Sequence, residues 1–193
     1  MPRRRQFDPL EALQQAMELF WEKGYEATSV QDLLDGMGIN RFSLYDTFQG
    51  KRELFEAALS RYLEEQVEPQ VREMREGPEG YGSIRRYFDR LVARAAGPAG
   101  WWGCLMVNTA VELAPRDRNA AKRLREFMDV IEDAFYRALA RARKAGEIKS
   151  VVPASILARF LAGTVLSLQV MARSRTPMKD LQRHVNLGLS ILN

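Results

Sequence analysis

The chain has 193 residues, with 29 Lys and Arg against 25 Asp and Glu and a formal charge of +4, enough length for one large domain or two small ones with a real core. A single cysteine excludes an intramolecular disulfide framework, and without an N-terminal apolar run like a signal peptide a reducing, cytoplasmic compartment is expected. No stretch approaches the roughly 20 uninterrupted apolar residues of a membrane span, so no membrane partner is expected, and a surplus of four charges does not by itself argue for nucleic acid.

In chain order, MPRRRQ places three arginines ahead of the first periodic segment, either as a basic arm for phosphates and a minor groove or as a solubilising tail. From Asp8 the pattern is helical. Leu10, Leu13, Met17, Leu19, Phe20 and Trp21 form one apolar face, Asp8 caps it with Pro9 in the first turn, and Gly24 ends it. Thr28 or Ser29 caps a short second helix in which Val30, Leu33, Leu34 and Met37 recur at helical spacing, and Gly38 stops it. A third short helix follows after only a Gly-Ile-Asn turn, which suggests helix-turn-helix geometry. Ile39, Leu44, Tyr45 and Phe48 supply its inward side, leaving Arg41, Phe42, Ser43, Asp46 and Thr47 outward. That outward set mixes donors, acceptors and an apolar contact. Such groups read base edges in a major groove, where an ordinary solvated helix would favour Glu and Lys.

A fourth helix runs from Lys51 through Leu54, Phe55, Ala58, Leu59, Tyr62 and Leu63, with Pro69 kinking or ending it before Gly77 and Pro78. Ser83 caps a fifth, carrying Ile84, Tyr87, Phe88, Leu91, Val92 and Ala95, which stops at Gly97 and Pro98. The segment WWGCLMVN, Trp101 to Asn108, opens a helix that Pro115 ends; a long helix then spans about Arg116 to Ala145. Two more begin at Pro153 and Pro177 and cover 153–174 and 178–192. The fold class is all-α, with about nine helices.

The stretch GYEATSVQDLLDGMGINRFSLYDTFQGKRELFEAAL resembles the N-terminal signature of the TetR family of transcriptional regulators, in the pattern T-S-V-x-D-L, G-I, S-L-Y, F, K, L-F, over residues 7 to about 60. The resemblance implies a helix-turn-helix DNA-binding domain at 1–50, joined by helix four to a ligand-binding and dimerisation domain at 51–193. The sequence carries no phosphate-binding glycine loop, no metal-ligand spacing and no base placed beside the thiol, so no cofactor and no enzymatic activity are expected. The partners that the resemblance implies are a double-stranded DNA operator of palindromic sequence, a small apolar or amphipathic effector, and a second copy of the chain. The last two helices would form the homodimer and set two recognition helices roughly 34 Å apart. By the same resemblance Thr28 contacts a backbone phosphate, Arg41, Phe42, Ser43 and Thr47 face bases or the groove wall, and Tyr45 and Lys51 hold phosphates. Tyr45 as a plain core residue remains the alternative. Phe42 departs from the family, where Pro or Gly is often found.

Between the fifth and eighth helices, aromatics and methionines mixed with a few polar groups either line a pocket or form core. Candidate effector contacts are Trp101, Trp102, Cys104, Met106, Asn108, Phe127, Phe160, Thr164 and Leu168. Cys104 lacks what a nucleophile needs, because the one histidine, His184, lies in the last helix, and no metal-ligand spacing is present. A helix start favours thiol reactivity, while Trp102, Leu105 and Met106 exclude solvent. The segment G-C-L-x-V-N is similar to one in a subset of TetR-like regulators, some of which respond to electrophiles or oxidants. A thiol sensor therefore stands as an alternative to a buried structural Cys104. A helical interaction scaffold without DNA binding is the alternative of another class, and it would not need Arg41, Ser43, Tyr45 and Lys51 in this arrangement.

Overall fold

The computed structural model describes residues 7–193, and every regular element within them is helical. The MPRRRQ arm lies outside the described residues. These fall into two compact units divided between Glu65 and Gln66.

The first unit holds α1 (Pro9–Lys23), α2 (Val30–Met37), α3 (Arg41–Phe48) and α4 (Lys51–Tyr62). The Asp8 carboxylate accepts from the Leu10 N–H, and Pro9, whose missing N–H costs nothing at a first position, begins α1. Met17, Phe20 and Trp21 of α1 pack against Leu54, Phe55, Leu59 and Tyr62 of α4, all buried. Phe20 meets Phe55 edge-on with ring centroids 5.0 Å apart, and Trp21 meets Tyr62 in the same way at 4.7 Å. Leu10, expected on this face, is exposed instead. Arg61 rather than an apolar side chain closes that end, donating from Nη1 to the Leu10 carbonyl at 2.8 Å. This packing assigns α4 to the first unit, so the unit runs on past the division expected at 50/51.

The helical backbone continues from α4 through a π turn, Leu63–Val67, into α5 (Glu68–Glu76). Pro69, the second residue of α5, has no N–H to give the carbonyl four residues back, and the helix widens just before it. The break expected at Pro69 is thus a local change of winding. Taken as one path, α4 to α5 brings the described helices to the nine expected.

The second unit comprises α5, α6 (Tyr81–Ala95), a 3₁₀ turn (Gly100–Trp102), α7 (Leu105–Leu113), α8 (Arg118–Lys144), α9 (Ala154–Arg173) and α10 (Met178–Ser190). Its spine is α8, capped by the Asp117 carboxylate and burying Phe127, Ile131, Ala134, Phe135, Ala138, Leu139 and Ala142 at helical spacing. Tyr87 and Phe88 of α6 each bring a ring centroid to 5.6 Å from that of Phe135. Arg141 of α8 caps the end of α5: its guanidinium donates to the carbonyls of Met74 and Arg75 (3.0 Å), groups that a helix end leaves without intrahelical partners, and to that of Glu79 (3.3 Å) in the following loop. Ser83, expected as a cap, lies inside the first turn of α6, and its hydroxyl donates back to the Gly80 carbonyl at 2.9 Å. The Tyr81 N–H is met by the Glu147 carboxylate at 2.7 Å. By length and composition α9 is apolar enough to cross a membrane, although Arg159 interrupts its apolar run. Its Leu157, Leu161, Val165 and Leu168 are nevertheless buried within the unit, and it packs along α8.

Gly80 fixes the approach of α6 to α8. A Cβ built on it would lie 2.3 Å from the Ala142 backbone nitrogen and 2.4 Å from its Cα, atoms that cannot swing aside. Gly80→Ala is expected to destabilise the second unit by about 1–3 kcal/mol, as overpacking against rigid neighbours does. Thermal unfolding of the variant checks this, and an unchanged midpoint would contradict the contact.

Candidate nucleic-acid interface and effector site

The turn between α2 and α3 is built on Gly38, whose left-handed φ of 62° lets its N–H and that of Ile39 reach back to the Leu34 carbonyl. Asn40 then caps α3, its side-chain oxygen accepting from the Ser43 N–H at 2.9 Å. Of the eight residues of α3, Leu44 is the one that is buried, and it anchors the helix to the unit. Arg41, Phe42, Tyr45, Asp46 and Gln49 are exposed, while Ser43, Thr47 and Phe48 are half-buried. The outward face expected from the sequence is present, with two changes. Tyr45, placed inward by its spacing, is instead 48% exposed and so is not a plain core residue. Gln49, not singled out earlier, extends the stripe of Arg41 and Tyr45 at four-residue intervals.

Thr28, expected to contact a phosphate, does not face outward. It is fully buried, and its hydroxyl donates to the Gly24 carbonyl at 2.6 Å, so the side chain is committed to closing α1 rather than turned to a phosphate. Ser29 is the cap of α2, accepting from the Asp32 N–H at 3.0 Å while the Asp32 carboxylate accepts from the Ser29 N–H at 2.8 Å. Lys23 pairs with Asp32 at 2.7 Å. Hydrogen bonds from Lys23 and Ser29 hold the Asp32 carboxyl well below the usual carboxylate range. Lys51 opens α4, its ammonium 4.3 Å from the Tyr25 ring centroid, and Gly50 before it lies beside the Tyr45 ring. Tyr45, Gly50 and Lys51 thus come together where α3 gives way to the start of α4.

In the second unit the candidate effector residues separate into two places. At the first, the Trp102 carbonyl accepts from Asn108 Nδ2 at 2.7 Å and from Arg173 Nη1 at 3.4 Å. Arg175, in a left-handed conformation at φ 56°, sets its guanidinium 4.6 Å from the Trp101 ring centroid. Gly103 passes so close to the Gln169 carbonyl, at a φ of 68°, that a side chain would be strained there. Cys104 follows as the cap residue of α7, 3% exposed, with Leu105 and Met106 buried after it. The arginines at Trp101 were not foreseen; no periodicity announces a cation stacked on an aromatic from a different helix. Phe127 and Leu168 are buried core positions. Phe160 and Thr164 belong elsewhere: with Gly163, Ser167, His184, Leu187 and Gly188 they line a groove of about 380 Å³ between α9 and α10. There His184 Nε2 lies 2.6 Å from Ser167 Oγ.

Residues 12–58, spanning α1 to α4, match the family described as bacterial regulatory proteins, tetR family, and residues 80–186 match the tetracyclin repressor-like C-terminal domain. The chain belongs to the TetR family. It is 40% identical to the uncharacterized HTH-type transcriptional regulator YezE of Bacillus subtilis (strain 168), with both chains covered in full. It is 29% identical to the HTH-type transcriptional repressor ComR of Escherichia coli (strain K12), covering 92% of this chain and 85% of that one. Among solved structures, a cysteine mutant of the TetR family regulator CifR complexed with 26bp double-strand operator DNA is similar, at a TM-score of 0.87 and 28% identity over 99% of this chain and 100% of that one. The TetR-family chain is a DNA-binding transcriptional regulator, and α2 and α3 are its helix-turn-helix.

One ionisable group in the regulator's second unit is set by the packing beside Cys104. Burial pushes the Tyr87 phenol well above its ordinary value, neighbouring Cys104 adds to the rise, and Arg94 opposes it. Because the folded state disfavours the phenolate, the stabilising effect is fully present below about pH 10 and is lost as pH rises further. In this range wild type is expected to lose stability faster than Tyr87→Phe by about 1.4 kcal/mol per pH unit, one proton's worth. Parallel curves in denaturant titrations of the two proteins at stepped alkaline pH would contradict the burial of this hydroxyl.

Proposed function

We propose that the protein is a homodimeric cytoplasmic repressor that holds a two-fold symmetric operator through α3 and is released by a small apolar or amphipathic effector bound in its second unit. The observation that carries the reading is the exposed face of α3, where Arg41, Phe42 and Tyr45 project from a helix fixed by Leu44, with Lys51 at the start of α4. Arg41 supplies the two-donor fork for guanine, Ser43 and Thr47 approach the groove wall, and Tyr45 and Lys51 take phosphates. The complex of CifR with operator DNA supports this use of the fold.

A second copy is the partner for the outer face of α9 and α10. Ile156, Phe160 and Val170 of α9 and Leu187 of α10 are exposed there, and Gly163 among them allows close helix approach. Such apolar surface is what an isologous dimer buries. Phe160 and Thr164 then belong to this interface and Phe127 and Leu168 to the core, which narrows the effector site to Trp101, Trp102, Cys104, Met106 and Asn108. Burial of Cys104 favours packing over sensing. Release of DNA by an electrophile from wild type, but not from Cys104→Ser, would reverse that assignment. Effector binding regulates DNA only through a conformation with wrongly spaced reading heads, and the α4 to α5 path is the covalent route between the units.

A mobility-shift titration on a fragment carrying the protein's own promoter tests the reading. Lys51→Ala is expected to weaken binding to all sequences and to reduce the salt slope by about one. Arg41→Ala is expected to cost about 1–3 kcal/mol on the specific site and little on random DNA. Absence of binding at low salt, or equal effects of both variants on specific and random duplexes, would contradict the assignment.

A further inference from the structure

Phe42 is the second residue of α3, and its ring is 78% exposed, on a short helix where only Leu44 is buried. A phenyl ring held in water is unfavourable in the free protein, so its contribution has to come from what covers it. We infer that Phe42 is a specificity-determining residue that reads the C5-methyl group of thymine, so that each operator half-site carries a thymine where the start of α3 enters the groove. The inference rests on the reading of α3 as the recognition helix.

Three observations lead there. Residues at the start of a recognition helix are those that reach base edges, and Phe42 stands at that start beside the Asn40 cap. The ring carries no donor or acceptor and cannot pair with a phosphate or with the polar atoms of a base, whereas the thymine methyl is the apolar group that the major groove displays. Its neighbours fix which way this face turns. Arg41, also exposed, precedes it, and Asp46 is exposed four residues on, on the same side of the helix. A carboxylate on that side would be repelled by the sugar-phosphate backbone but can accept from the amino group of cytosine or adenine. The face of Phe42 and Asp46 therefore suits the groove floor, and packing of the ring against deoxyribose is disfavoured.

Deoxyuridine in place of thymidine removes the methyl and leaves every polar group of the base pair intact. The operator is recovered by selection from random duplexes, and each half-site thymidine is replaced in turn. Binding of wild type, Phe42→Ala and Phe42→Leu is then measured by fluorescence anisotropy at one salt concentration, after circular dichroism has shown the three proteins equally folded. At one half-site position, loss of the methyl is expected to weaken wild type about fourfold, the value of one buried methyl group. The same replacement should leave Phe42→Ala unchanged, and Phe42→Leu should retain part of the effect. If no replacement affects wild type, or if wild type and Phe42→Ala lose the same factor, the methyl is not read by Phe42 and the proposal fails while DNA binding stands. Absence of binding to every duplex at low salt would remove the recognition-helix reading, and this inference with it.

Discussion

The burial of Leu44 is the contact on which the reading surface depends. An eight-residue helix is not stable in water by itself, since nucleation leaves too few hydrogen bonds to offset the ordering of its first turn. In α3 the single buried side chain, the Asn40 cap and the left-handed turn at Gly38 together determine where the helix lies. Because Leu44 alone of the eight is fully buried, with Ser43, Thr47 and Phe48 half-buried beside it, the remaining four are released from the core. This economy lets Arg41, Phe42, Tyr45 and Asp46 all face solvent, at the expense of making α3 wholly dependent on the unit beneath it. That unit is stiffened by the rings of Phe20, Phe55, Trp21 and Tyr62 between α1 and α4.

The second unit solves a different problem. Its helices are long enough to bury continuous faces, and three kinds of contact fix their spacing. The Tyr87, Phe88 and Phe135 rings fill the space between α6 and α8, Gly80 sets how closely they approach, and Arg141 satisfies the carbonyls at the end of α5. The Trp102 carbonyl, held by Asn108 and Arg173, ties the turn before α7 to the end of α9. Cys104 comes two residues later, buried at the start of α7 with the Tyr87 phenol as a neighbour.

Helix number, many helix boundaries and the outward position of Arg41, Phe42 and Asp46 on α3 were legible in the sequence because they follow from local rules: a 3.6-residue period, a cap, a stop. What was misread depends on side-chain direction or on contacts distant in sequence. Thr28 and Ser29 are both plausible caps by residue type, and only the fold shows that one hydroxyl closes α1 and the other opens α2. Ser83 satisfied the composition of a cap but sits inside its helix, because Gly80 comes against α8 and starts the turn earlier. Phe160 and Thr164 were grouped with the tryptophans by residue type, yet in the fold they line the groove between α9 and α10. Arg175 on Trp101 and Arg141 on α5 join positions far apart in the chain, and no spacing rule reveals them.

The charge distribution of the first unit divides affinity from specificity. On the α3 face Arg41 is the cation and Asp46 opposes it, so the summed charge of that face gives little attraction to a polyanion. In the proposed arrangement Lys51 and the N-terminus of α4 add, among the described residues, an attraction that acts on any sequence alike and weakens as salt rises. An apolar contact such as that of Phe42 releases no counterions and is nearly indifferent to salt. Raising the ionic strength therefore removes the part of the binding that is common to all DNA and spares the part that distinguishes one site from another. On the described α3 face, where Arg41 and Asp46 offset each other, the contact proposed for Phe42 would therefore add selectivity rather than general attraction.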